Sequence, residues 1–234
     1  MEPLFTELVE RLRSAHSNNL VSVVLYGSAI ADGVAKLKSD YRVLVVLDAI
    51  SAEDLRHART PARWWADSGF SLPMYLTRDE LNSSLDVFPI EFGQMKRAYR
   101  VVYGDDLLAN TEVSKANLRL QTESELRGKM LRLRSLYLPA SDSSEGLTKL
   151  MTDSIVTFVQ LLRSVLELLG EQPPVSRLAT IRRTHERLRL DTSSLERILK
   201  LRSQPARLLE LEAHDLFSSY LDCLKRVIEE VDNL

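Results

Sequence analysis

The fold of this chain is decided by residues 21–48, VSVVLYGSAIADGVAKLKSDYRVLVVLD. The apolar runs 21–26 and 42–47 are rich in β-branched residues and are predicted to be strands. Between them the sequence predicts a tight turn at Gly27 and Ser28 and then a short helix. Gly27 lets the backbone turn sharply, and Ser28 places a hydroxyl and backbone N–H groups at a helix N-terminus, where the dipole favours an anion. The stretch therefore predicts two strands flanking an anion-binding turn.

This pattern resembles the signature of the nucleotidyltransferase superfamily, the fold of DNA polymerase beta and of kanamycin nucleotidyltransferase. In that superfamily an apolar strand ends in Gly-Ser, and an Asp-x-Asp pair opens the next strand. The resemblance implies that Gly27 and Ser28 hold a triphosphate, and that the acids hold two Mg²⁺ ions. Gly27, Ser28 and Asp40 match the signature, whereas Arg42 stands where the second acid is expected.

Arg42 changes the chemistry that the resemblance implies. Residues two apart on a strand face the same side, so Asp40 and Arg42 are predicted to project together. At about 4 Å and an effective dielectric of about 20, each unit-charge pair is worth roughly 4 kcal/mol, so a guanidinium disfavours a nearby Mg²⁺. Arginine instead pairs bidentately with phosphate. This predicts nucleotide binding without the two-metal chemistry.

A third acid is expected from the run VFPIEF, residues 87–92, which is predicted to be a strand. The resemblance implies that Glu91 projects from this strand into the site and is, with Asp40, a catalytic and metal-binding residue. The alternative is a glutamate on an outward-facing surface, and both interpretations stay open. Asp86, just before the run, is a further candidate. The implied cofactors are Mg²⁺ and ATP or another nucleoside triphosphate.

The remainder of the first half alternates helices with strands, which predicts an α+β fold: a nucleotidyltransferase-like small mixed sheet with flanking helices. Capping boxes are predicted at Ser51 with Asp54 and at Thr77 with Glu80. Pro61 is predicted to interrupt or kink the helix that Ser51 opens. Further strands are predicted at 71–76, as an edge strand, and at 99–103, and a further helix at 2–15.

After residue 111 the strand patterns end and helical periodicity continues to the last residue. The strongest apolar stripe lies within residues 147–169, and another lies within 209–231. Helices that each carry one apolar stripe, joined by short polar loops, predict an antiparallel bundle of four or five helices. The predicted domains are therefore 1–112, nucleotidyltransferase-like, and 113–234, an all-α helical bundle.

Composition limits the partners that we expect. The net charge of −2 provides no overall attraction to nucleic acid or to anionic membrane. No apolar run reaches membrane-spanning length, so no membrane partner is expected. The single cysteine, Cys223, is predicted to be a buried and inert thiol, and its isolation fits a reducing cytoplasm.

Three functions follow from these observations. The leading hypothesis is a nucleotide-binding protein of the nucleotidyltransferase superfamily, with weak or absent transfer activity because Arg42 replaces an acid. The second is an active enzyme that uses one Mg²⁺ on Asp40 and Glu91 to move a nucleoside monophosphate from ATP to a small-molecule or protein hydroxyl. The third is a non-catalytic scaffold whose helical half forms a homodimer.

Overall fold

Residues 2–27, 30 and 41–234 are described by a computed structural model of the chain. Two residues that the sequence analysis singled out, Ser28 and Asp40, lie outside the described residues. The chain divides into two units, Met1–Ser114 and Lys115–Leu234. We call them the N-terminal unit and the helical unit.

The described part of the N-terminal unit contains a four-stranded sheet formed by β1 (Leu20–Tyr26), β2 (Arg42–Leu47), β3 (Met74–Thr77) and β4 (Tyr99–Gly104). The strand order is β3-β2-β1-β4. Strand β1 runs antiparallel to β2 and β4, whereas β2 and β3 are parallel. The small mixed sheet is therefore confirmed, and the third predicted strand does lie at an edge.

Four helices of the N-terminal unit are described: α1 (Glu2–His16), α2 (Ala52–Asp67), α3 (Arg78–Ser83) and α4 (Pro89–Arg97). Both predicted capping boxes are confirmed, at the starts of α2 and α3. Of the two predicted effects of Pro61, the interruption is wrong, because α2 continues to Asp67, and a kink stays a prediction. Pro61 is itself buried, as are Ala58 and Trp65 on the same helix, so packing offsets the backbone hydrogen bond that proline removes.

The two faces of the sheet pack against different helices. On one face, β1 and β2 side chains join residues of α1 and α2 in an apolar cluster that includes Phe5, Leu8 and Trp65. On the other face, alternate residues of the same strands join a second cluster with Leu81 of α3 and with Phe92 and Met95 of α4. Because successive strand residues face opposite sides, these contacts tell which face each residue of β1 and β2 occupies.

Residues 87–92 do not form the predicted strand. The chain begins helix α4 at Pro89, so Glu91 lies in the first turn of a helix. A proline lacks the N–H that a strand ladder needs, but it suits the first position of a helix. The apolar residues Phe92 and Met95, one turn apart, are both buried against the sheet. The short apolar run is compatible with the periodicity of a strand and with that of a helix, and packing on the sheet selected the helix.

The helical unit consists of five helices: α5 (Lys115–Ala140), α6 (Ser144–Leu168), α7 (Arg177–Leu188), α8 (Ser193–Ser203) and α9 (Glu210–Asp232). Helix α6 contacts each of the other four and is the centre of the unit. It contains the strongest apolar stripe of the sequence, and Met151, Ile155 and Leu162 on it are fully buried. The predicted helical bundle is confirmed. In the described chain, no helix combines the length and the apolar character that crossing a membrane requires.

Candidate functional site

The turn after β1 has the backbone conformation that the Gly-Ser pattern predicts. Gly27 directly follows the last residue of β1 and has φ of 113°. Residues with a Cβ atom rarely adopt this backbone conformation, so glycine is required here. The Ile30 N–H donates to the Gly27 carbonyl oxygen at 3.1 Å, which closes the turn. Ser28, between them, lies outside the described residues.

Arg42 begins the neighbouring strand, beside this turn. It is directly paired with Tyr26 across β1 and β2, and its side chain is exposed. The preceding residue, Tyr41, packs into the α1 and α2 face, with its ring centroid 5.3 Å from that of Phe5. Alternation along the strand therefore places Arg42 on the opposite face, the one covered by α3 and α4.

The charges of Arg42 and Glu91 both act on the hydroxyl of Tyr26. Burial raises the pKa of Tyr26, a hydrogen bond and the positive charge of Arg42 lower it, and the negative charge of Glu91 raises it. Both charged groups therefore act on the same buried tyrosine, which is 6% exposed. Glu91 lies in the first turn of α4, where a helix N-terminus favours a negative charge. The structure thus brings Gly27, Arg42 and Glu91 together around Tyr26 at one end of the sheet.

Tyr26 joins the candidate site although its sequence pattern, the last residue of an apolar strand, predicts only a core position. Its position immediately before Gly27 is the signal that could have found it, since a strand-terminal hydroxyl there lies at the turn. Asp86 lies exposed in the segment between α3 and α4 and is not among the groups that act on Tyr26.

The donor set in the described residues does not fit two Mg²⁺ ions. Among residues 2–27, 30 and 41–234, no group of three or more His, Cys, Asp or Glu side chains is placed to hold a metal ion. Magnesium prefers carboxylate oxygens, whereas Arg42 contributes a fixed positive charge and no acceptor. Asp40 lies outside the described residues, so of the two acids predicted to bind metal, Asp40 and Glu91, the structure describes the placement of Glu91 alone.

The described chain has the fold of the nucleotidyltransferases, as a comparison with solved structures shows. A spectinomycin adenyltransferase, AAD(9) from Enterococcus faecialis, solved with ATP and spectinomycin, is similar with a TM-score of 0.57. The match covers 95% of this chain and 98% of that chain at 17% sequence identity. At this identity the likeness establishes the fold that the resemblance predicted. No protein-family model matches the chain, and no curated protein matches it in sequence.

Proposed function

We propose that this chain is a nucleotide-binding protein with the nucleotidyltransferase fold, and that its transfer of nucleoside monophosphate is weak or absent. The observation that carries the proposal is the position of Arg42, exposed at the start of β2 and beside the left-handed turn at Gly27. Ser28 and Asp40 complete the proposed site, as phosphate contact and surviving acid.

Phosphate is the ligand group that Arg42 suits best. A guanidinium carries five N–H donors in a planar fork, and the hydrogen bond to Tyr26 uses only part of that capacity. The buried tyrosine therefore orients the arginine and leaves most of its N–H donors available to a ligand. A fork held in place loses less side-chain entropy when it meets a phosphate, which favours binding.

A direct test is to titrate ATP, which is also the nucleotide in the similar adenyltransferase structure, into the full chain. We expect binding without Mg²⁺, and we expect Arg42→Ala to weaken it by about tenfold or more, because a charged hydrogen bond is lost. Arg177→Ala, at an exposed arginine of the helical unit, is the matched control and should leave the affinity unchanged. Absence of ATP binding by the unaltered chain would leave the scaffold hypothesis in its place.

Arg42→Asp separates a degenerate metal site from one that is misplaced altogether. The change restores the Asp-x-Asp pair, so ATP binding should become dependent on Mg²⁺ if Asp40 and residue 42 project together. Isothermal titration with Mg²⁺ at several concentrations measures this dependence. Equal ATP affinity with and without Mg²⁺ in this variant would show that the two positions do not form a metal site.

A second candidate function is favoured by the placement of Glu91. A carboxylate whose charge acts on Tyr26 is compatible with a one-metal enzyme that uses Asp40 and Glu91 to transfer nucleoside monophosphate from ATP to a small-molecule or protein hydroxyl. Incubation with labelled ATP and candidate acceptors tests it. Label transfer that disappears in Asp40→Ala and in Glu91→Gln would establish the enzyme over the degenerate site.

A further inference from the structure

The outward face of α2 carries a row of arginines. Arg56, Arg59 and Arg63 are all exposed, and their spacing places them on successive turns of one helix face. At about 1.5 Å of rise per residue, the row extends over about 10 Å. Within the described part of the chain, none of the three forms an ion pair, although Asp67 lies one turn beyond Arg63. We call this set the α2 arginine row.

The α2 arginine row lines a groove rather than a flat surface. The volume of the groove is about 520 Å³, within the range of small-molecule binding sites. Its other lining residues are Thr60, Trp64, Asp67 and Ser68. The Trp64 wall is held in place, because the guanidinium of Arg11 lies 4.5 Å from the indole ring and is itself paired with Glu7 at 2.7 Å.

The groove is separate from the site at Arg42. Trp65 and Ala58 on the inner side of α2 are buried, and Trp65 belongs to the cluster that also contains Val43 of β2. Tyr26 lies in the cluster on the other face of the sheet, under α3 and α4. A ligand in the groove would therefore occupy the side of the N-terminal unit opposite the nucleotide site.

We propose that the α2 arginine row binds an oligophosphate, meaning a linear chain of linked phosphate groups such as inorganic polyphosphate or the phosphate tail of a nucleotide. Like charges one turn apart on a helix repel each other, and among the described residues no carboxylate, Asp67 included, forms an ion pair with any of the three. Three planar forks in a row suit an anion with several charges along its length better than a single carboxylate. The exposed Thr60 hydroxyl, in the same groove, supplies a further donor.

The chain carries its own reporter for this groove. Its two tryptophans are adjacent on α2, and Trp65 is fully buried whereas Trp64 lines the groove. Titration of the full chain with inorganic tripolyphosphate should therefore change tryptophan fluorescence, and Trp64→Phe should abolish that change while calorimetry still detects binding. Binding should weaken steeply with added salt, because exposed charges are screened.

Replacing all three arginines tests the assignment. The variant Arg56→Gln, Arg59→Gln and Arg63→Gln should lose tripolyphosphate affinity by about tenfold or more, since charged hydrogen bonds to phosphate are the strong ones. The matched control removes the same charge from three exposed arginines of the helical unit, with Arg177→Gln, Arg207→Gln and Arg226→Gln. We expect the control to bind as the unaltered chain does. Equal affinity in both triple variants, or no binding by the unaltered chain, would overturn the proposal.

Further titrations identify the source of the phosphates. They also show whether this groove binds its ligand independently of the nucleotide site. Arg42→Ala should keep the tripolyphosphate response of Trp64, even where it loses ATP binding. ATP that quenches Trp64 in Arg42→Ala points to a nucleotide, whereas a response to inorganic polyphosphate alone points to that polymer. Binding of a single-stranded oligonucleotide without any response to tripolyphosphate would replace the proposal with a nucleic-acid surface.

Discussion

At the scale of single residues, Gly27 and Tyr26 show how one position constrains the next. The strand must end where the backbone enters φ of 113°, and the residue before that point pairs with Arg42 on β2. Tyr26 is buried, so its hydroxyl gives Arg42 a fixed partner. The geometry of the site therefore depends on one glycine and one tyrosine as much as on its charged residues.

Gly27→Ala tests the turn. An L-residue at this φ is strained by roughly 1–3 kcal/mol, so we expect lower stability and weaker ATP binding together. Gly128→Ala is the control, because it should raise the stability of the protein whereas Gly27→Ala should lower it. A Cβ at Gly128, inside α5, would meet no atom within 4 Å, so alanine should stabilise the protein by about 0.4–1 kcal/mol. Urea denaturation measures both changes, and a neutral Gly27→Ala would contradict the requirement for glycine.

His16 makes the N-terminal unit sensitive to acid. Its side chain is buried with no hydrogen-bond partner for either ring nitrogen among the described residues, and its ring lies 5.8 Å from that of Tyr75. Burial lowers the pKa of His16 below the ordinary value of 6.5; Asp54 partly opposes this shift and His57 adds to it. The unfolded chain therefore takes up the proton first, and stability falls as the pH drops below 6.5.

The measurement is denaturant unfolding at about pH 7.5 and about pH 5.5, followed by tryptophan fluorescence. His16→Leu should reduce the loss of stability on acidification, because the group that titrates on unfolding is gone. His57→Gln changes an exposed histidine and serves as the control, which should retain most of the loss. An unchanged pH dependence in His16→Leu would assign the acid sensitivity to other groups.

At the scale of elements, α4 shows how packing selects between two periods. Phe92 is 2% exposed, whereas Phe88, just before the helix, is 49% exposed. In an extended strand these two residues, four positions apart, would face the same side and have similar burial. The difference follows from the helix beginning at Pro89, which separates the two environments.

A pair of alanine substitutions measures this difference. Phe92→Ala should destabilise the chain by about 3–5 kcal/mol, because it leaves a cavity between α4 and the sheet. Phe88→Ala removes an exposed ring and should cost less than about 1 kcal/mol. Urea denaturation of the two variants gives both values. Similar costs at the two positions would support the strand that the sequence suggested.

At the scale of the whole molecule, each unit has its own buried core and contains a residue whose signal reports on the unfolding of that unit. Both tryptophans lie in the N-terminal unit, and Cys223 is buried in the helical unit. Burial raises the pKa of the Cys223 thiol to about 11, so the thiol is inert until the helices around it open. The burial of Cys223 that the sequence predicted is confirmed.

We expect the two units to unfold as separate cooperative transitions, because the chain divides into two compact units. Tryptophan fluorescence follows the first unit, and alkylation of Cys223 at increasing urea follows the second. Gly27→Ala should then shift the fluorescence transition and leave the Cys223 transition in place. Coincident midpoints that move together in this variant would show that the chain unfolds as one unit.

Local patterns were enough for much of this fold. The apolar, β-branched runs at residues 21–26 and 42–47, the capping boxes at Ser51 and Thr77, and the stripe on α6 each depend on neighbours within a few positions. Such preferences are strong wherever one period clearly dominates. The same is true of Gly27, because its turn is required by the backbone itself.

Only the tertiary structure decided which residues meet. The hydrophobic effect has no preferred direction, so an apolar pattern alone does not show which surface a segment will pack against. For this reason the sequence did not predict the helix at residues 89–97 or the continuation of α2 through Pro61. Glu91 was expected in the site only from the resemblance, and it was expected on a strand, because residues this far apart in sequence are brought together by packing alone. The sequence by itself determined β1, β2, the two caps and the glycine of the turn, while long-range packing determined the helix at residues 89–97 and the surroundings of Arg42.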